Sequence, residues 1–145
     1  MTRFYDIDAA NALVEDLDAV CSRLRDQREA LVGLRDELLV REAAREASTA
    51  GTGGGSAGQA PKSDPEIRRL RLRIRGLVDQ MQAEVAWLDE RSIYLRDIPT
   101  GLVDVAALVA GRQVWLCWRL GERAFDHWHE LNAGFAGRRP IAELA

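Results

Sequence analysis

Residues 92–120 read SIYLRDIPTGLVDVAALVAGRQVWLCWRL, and within this stretch the hydrophobic period changes from three-four spacing to alternation. SIYLRDI (92–98) and RQVWLCWRL (112–120) are rich in β-branched and aromatic residues and are bounded by the turn signals PTG and AG. These features predict two strands, with GLVDV (101–105) as a short third. Val114, Leu116, Trp118 and Leu120 fall on one side of the run, and Trp115, Cys117 and Arg119 on the other. A strand that is apolar on both sides is expected to be buried on both.

N-terminal to this stretch the chain reads as helix. Asp64, Pro65 and Glu66 combine a cap, a preset φ and a first-turn acid, and start a second helix expected over 64–91. Its apolar stripe is Ile67, Leu70, Ile74, Leu77, Met81, Val85 and Leu88. RRLRLRIRG (68–76) also alternates, yet the cap and the flanking stripe decide for helix. A first helix is expected over 7–47, capped by Asp6. Leu13, Leu17, Val20, Leu24, Gln27, Leu31, Leu34 and Leu38 form a heptad seam with one polar residue. Antiparallel pairing of the two helices is the simplest way to bury both seams. Between them, residues 48–63 (STAGTGGGSAGQAPKS) read as a flexible Gly/Ser-rich connector. GTGGGSAG has neither the Lys-Ser ending nor the preceding strand of a phosphate loop.

C-terminal to the strands, ERAFDHWHEL (122–131) places Ala124, Phe125, Trp128 and Leu131 in one helical sector, which predicts a short helix ended by Gly134. The expected whole is a single α+β domain that is mostly helical: a long coiled-coil-like antiparallel hairpin with a small β-containing head over 92–140 and a short C-terminal helix.

The chain has 145 residues, 47% of them hydrophobic, which is enough for one core. Lys and Arg total 20 against 23 Asp and Glu, a net charge of −3, so global charge does not draw the protein to nucleic acid or anionic lipid. The five arginines between Arg68 and Arg75 read as charged flanks of a helical seam. Cys21 and Cys117 have no metal-motif spacing and are expected to be reduced thiols. No window approaches a membrane span and the N-terminus does not resemble a secretion signal, so a cytoplasmic location is expected.

The segments IDAANALVEDL (7–17), GLVD (101–104), VWLCWRLGE (114–122) and WHELNAGFAGRRP (128–140), in this order around a helical pair with a variable loop, resemble the prokaryotic domain of unknown function 2203 family. The resemblance covers nearly the whole chain. It implies a small bacterial protein and brings no established activity. Where that family commonly follows GLVD with an aromatic residue and a proline, this chain has Val105 and Ala106, so a different turn after Asp104 is expected.

The polar residues within the matching segments are Asp104, Arg119, Glu122, His129, Glu130 and Arg138, and they form the candidate binding or structural network. On a helix, Glu122, Asp126 and His129 would share one side, and Asp126 with His129 could supply two metal ligands. His127 and His129, two apart, would diverge on a helix and converge on a strand. The preferred alternative for His129 is structural, with its ring beside Trp128 and bonded to a carboxylate or carbonyl. Arg119 is expected to pair with Asp104 or Glu122, Cys117 to be a small buried apolar residue, and Trp115, Trp118, Trp128 and Phe135 to fill the core. No nucleophile with a paired base stands out and no cofactor is indicated.

Two functions follow as expectations. The first is a noncatalytic interaction or scaffold module that associates with itself or a protein partner through the hairpin. The second is a small-ligand, anion or metal-binding head with possible hydrolytic chemistry, in which Arg119 or Arg138 clamps an anion. The first is favoured on sequence, because acids beside histidines are common on solvated helices.

Overall fold

The computed structural model describes residues 1–50 and 64–144. The architecture is α+β. Three helices, α1 (Ile7–Asn11), α2 (Val14–Ala50) and α3 (Pro65–Glu90), precede an antiparallel sheet. Its strands are β1 (Ile93–Asp97), β2 (Leu102–Val109), β3 (Arg112–Arg119), β4 (His127–His129) and β5 (Arg139–Pro140), each bonded to the next in chain order. The chain divides into two compact units: Met1–Asp26 with Gln82–Ala145, and Gln27–Met81.

In the first unit, the Asp6 carboxylate accepts a bond from the Ala9 amide and starts α1. The helix expected to run on unbroken stops after one turn, and α2 begins at Val14. Asn11, at the break, turns its side-chain oxygen to the Phe125 amide at 2.7 Å. No proline or glycine signals this break, because a residue far along the chain draws on Asn11. The meander is set by tight turns. Ala110 and Gly111 both have positive φ, 51° and 76°, as a two-residue primed turn between β2 and β3 requires. Gly101, at φ 64°, lies where a Cβ would stand 2.6 Å from that of Leu120 and 3.4 Å from that of Cys21, so glycine lets α2 and the sheet approach closely. The core contains Leu17, Val20, Leu24 and Leu88 from the helices with Ile93, Val103, Val105, Leu116, Trp118 and Trp128 from the strands.

In the second unit, Leu34, Ile67 and Leu70 are buried, while Leu39, Val40 and Leu72 are exposed. The Asp64 carboxylate accepts the Glu66 amide ahead of Pro65, as the start signal predicts. Arg71 pairs with Glu42 at 2.7 Å and Arg69 with Glu66 at 2.8 Å, so part of the arginine run is neutralised locally. Helix α2 continues through Ala50, three residues past the expected end; the remainder of the Gly-rich connector, 51–63, lies outside the described residues.

The expected C-terminal helix is a correction. Residues 127–129 are strand β4, which pairs Leu116 with Trp128 and Trp115 with His129. The free edge of β3 must be hydrogen-bonded, and pairing there buries Trp128 and His129 to 3% exposure each, outweighing the helical spacing of Phe125, Trp128 and Leu131. Three residues are too few to display a two-residue period. Nor does a turn follow Asp104, since β2 runs straight through Val105 and Ala106. No helix among the described residues is long and apolar enough to cross a membrane.

Candidate functional site

The sheet register places Asp104 opposite Tyr94 on one side and Cys117 on the other. Trp115 and His129 form the neighbouring row, two residues along β3. Paired residues share a face and so do residues two apart, which collects Asp104, Cys117, Trp115 and His129 on the side of the sheet opposite Val103, Val105, Leu116 and Trp118. The segment 131–135 borders this face. Together they line an open cavity of about 380 Å³ whose wall also includes Arg96 and Leu102.

The cavity floor is polar and buried. His129 Nε2 stands 3.0 Å from Asp104 Oδ1, with the two side chains 4% and 5% exposed. His129 Nδ1 is 2.9 Å from the Glu130 carbonyl oxygen. A carbonyl only accepts, so Nδ1 carries a proton, and a further proton lies between Nε2 and Oδ1. Arg96 Nε donates to the other oxygen, Asp104 Oδ2, at 3.0 Å, and its guanidinium lies 5.0 Å from the Trp115 ring centre. Cys117 completes the floor. Its ligand atom and those of Asp104 and His129 all lie within 4.8 Å of one another, and all three residues are buried. Burial pushes the Cys117 thiol up to about 12, the Asp104 carboxylate adds to the rise and Arg138 opposes it without overcoming it, so on its own this thiol is a poor nucleophile.

A second cluster surrounds Glu122, in the turn after β3. Arg138 Nη2 donates to its carboxylate at 2.7 Å, the Arg119 amide does so at 2.7 Å, and His127 Nδ1 stands 3.6 Å away. Burial acts to raise the Glu122 carboxyl, but Arg138, the Arg119 amide and His127 outweigh it and hold the group below its ordinary value. The Glu122 carbonyl accepts from Trp118 Nε1 at 2.9 Å, so the cluster fastens the turn to the core.

The candidate residues are thus distributed between two places and the surface. Asp104 and His129 meet; Glu122 and Arg138 meet. Glu130 pairs with Arg112 near the surface and supplies only its carbonyl to His129. Arg119 does not bind either acid with its side chain, which is exposed and lies 5.5 Å from the Phe135 ring centre. Arg96 takes the role expected of Arg119, because β2 carries Asp104 beside β1. The structure does not bring Asp126 and His129 together as a helix would, since Asp126 lies exposed before β4 and His129 is buried at the end of that strand. Arg96, Trp115 and Cys117 are the residues that sequence reasoning left out of the site. A lone arginine inside SIYLRDI was the available signal.

A family model described as an uncharacterized conserved protein, DUF2203, matches residues 3–141. No curated protein and no solved structure matches the chain. The chain therefore belongs to the DUF2203 family.

Proposed function

We propose that this DUF2203 member is a binding protein whose sheet-borne cavity receives a small polar ligand or ion. One observation carries the proposal: two nearly fully buried polar side chains, Asp104 and His129, meet on the floor of an open cavity instead of inside a closed core. Burying such a pair costs desolvation that well-packed apolar residues would avoid, and a strand apolar on both faces could have supplied them. Trp115 and Arg96 give the cavity an aromatic and a cationic wall, the usual composition of a small-ligand site. At the cavity floor both nitrogens of His129 are engaged, which with the raised Cys117 thiol argues for binding over nucleophilic catalysis. Two buried free cysteines suit a cytoplasmic, reducing location.

Thermal-shift screening of ions and small polar molecules tests this on wild type and on Asp104→Asn. Ligands that raise the wild-type melting temperature and lose that effect in Asp104→Asn are expected. A panel in which no stabilisation depends on Asp104 would count against the proposal.

A second activity is supported by the second unit, where Leu39, Val40 and Leu72 are 55%, 69% and 68% exposed. Ion pairs Arg23 with Glu84 in one unit and Glu42 with Arg71 in the other fit an antiparallel helical hairpin, and such exposed apolar residues suit a protein partner or a second copy. Light scattering checks self-association: a mass above the monomer at tens of micromolar is the expected result.

A further inference from the structure

We infer that Asp104, Cys117 and His129 form a site for one divalent transition-metal ion of the zinc class, with its remaining coordination position open to the cavity. The inference rests on reading this cavity as a binding site and names what binds there.

Three adjacent strands each contribute one donor. The set comprises a carboxylate oxygen, an imidazole nitrogen and a thiol sulfur. This N/O/S mixture matches the borderline softness of zinc and would be a poor choice for magnesium or calcium, which take oxygen ligands. The donors are close to the required spacing. Tetrahedral bonds of about 2.0–2.3 Å hold ligand atoms roughly 3.3–3.7 Å apart. The observed Nε2–Oδ1 distance is 3.0 Å and every donor atom lies within 4.8 Å of the others, so small side-chain rotations suffice.

The surroundings are those of a metal site as well. His129 donates Nδ1–H to the Glu130 carbonyl, which fixes the ring with Nε2 at the Asp104 carboxylate. Arg96 holds the second oxygen of Asp104, leaving Oδ1 as the donor. Outer partners of this kind orient ligating histidines and carboxylates.

Charge balances too. Without an ion, Asp104 and His129 share one proton and Cys117 keeps its own, so the three groups sum to zero. A dication that displaces both protons meets a carboxylate, a thiolate and a neutral imidazole, and the sum is again zero. Two protons leave to solvent, no electron moves, and Arg96 contributes the same charge in both states. Arg138 already draws the Cys117 thiol downward against burial, and coordination to the ion completes this, since it deprotonates a thiol outright. Three protein ligands facing a cavity leave the fourth position for water or a small ligand, the pattern of an open zinc site.

The test uses the full-length, untagged chain, stripped with a chelator and then titrated with Co²⁺ and, separately, dialysed against Zn²⁺. One ion per chain is expected, with a thiolate-to-cobalt charge-transfer band and a higher melting temperature. Cys117→Ser should abolish the band, and His129→Gln should weaken uptake by about 100-fold or more, the upper range for losing even an outer partner. Circular dichroism establishes that each variant is folded; if His129→Gln is not, Cys117→Ser and wild type decide. No stoichiometric uptake by folded wild type, or uptake with an unchanged band in Cys117→Ser, would overturn the inference. If the ion fails to bind while Asp104-dependent stabilisation by other ligands persists, the metal inference falls and the binding function stands. If neither is seen, both fall.

Discussion

The unit Gln27–Met81 and the sheet-bearing unit dispose of their polar groups in opposite ways. In the helical unit one apolar stripe is covered, charges lie outside it, and Gln27 is the single polar member of the α2 seam. Its Oε1 is buried without a partner. In the sheet-bearing unit both faces of β3 are covered, and one face encloses an acid, a histidine and a thiol that are bonded or closely set. A helix stripe needs only hydrophobic repetition, whereas a sheet covered on both sides can set polar groups at fixed separations inside low-dielectric surroundings. Substitutions in the two units should therefore have different signs and sizes.

The largest effect is expected at Asp104. Asp104→Ala leaves His129 and Arg96 without their shared anion and should cost about 3 kcal/mol or more of unfolding free energy. Urea denaturation checks this, and a loss under about 1 kcal/mol would mean that the buried pair is not tightly held. His129→Ala should cost about 1–3 kcal/mol, because Asp104 keeps its Arg96 bond and loses only one partner. His127→Ala should cost less than about 1 kcal/mol, as its half-buried ring contacts Glu122 at 3.6 Å, beyond hydrogen-bond reach. Equal melting points for His129→Ala and wild type would sever the histidine from the network.

In the helical unit the sign reverses. Gln27→Leu removes a buried unpaired oxygen from the seam and should raise stability by about 1 kcal/mol. Destabilisation by this change would point to a specific role for that polar position, such as fixing register.

A smaller contrast concerns pH. Because the folded Glu122 carboxyl is held below its ordinary value, its contribution to stability is full above the unfolded carboxylate range near about 4.3. That contribution fades as pH falls through the lower folded value. Glu122→Gln should therefore be less stable than wild type at neutral pH and converge on it in acid. Parallel stability curves for the two proteins across that window would refute the linkage.

The helices were legible in the sequence because their signals are local and repeated. Asp6 and Asp64 cap as their positions require, and every residue of the first seam from Leu13 to Leu38 is buried or half-buried. Strands β1 and β3 were legible from alternation, whereas β2, expected only as a short strand over 101–105, runs on to Val109. By contrast, β4 is three residues long and owes its form to the open edge of β3, so its own residues spell a helix. The site shares this difficulty. Asp104 and His129 could be named from the sequence, but their meeting depends on the register across two strand pairs, and Arg96 enters through the irregular pairing between Leu95 and Asp97. Reading β4 as helix also separated His129 from Cys117 and joined it to Asp126, which only a helical spacing would have aligned.

The central claim, that binding resides in the cavity of the sheet-bearing unit, is tested most directly by amide-resolved NMR of the full chain during titration with the ions and molecules that stabilise it. Saturable shifts at Arg96, Asp104, Cys117, His129 and Asn132, with the amides of Gln27–Met81 unmoved, are the predicted result. Saturable shifts confined to Gln27–Met81, or no saturable shift at the cavity residues, would contradict it.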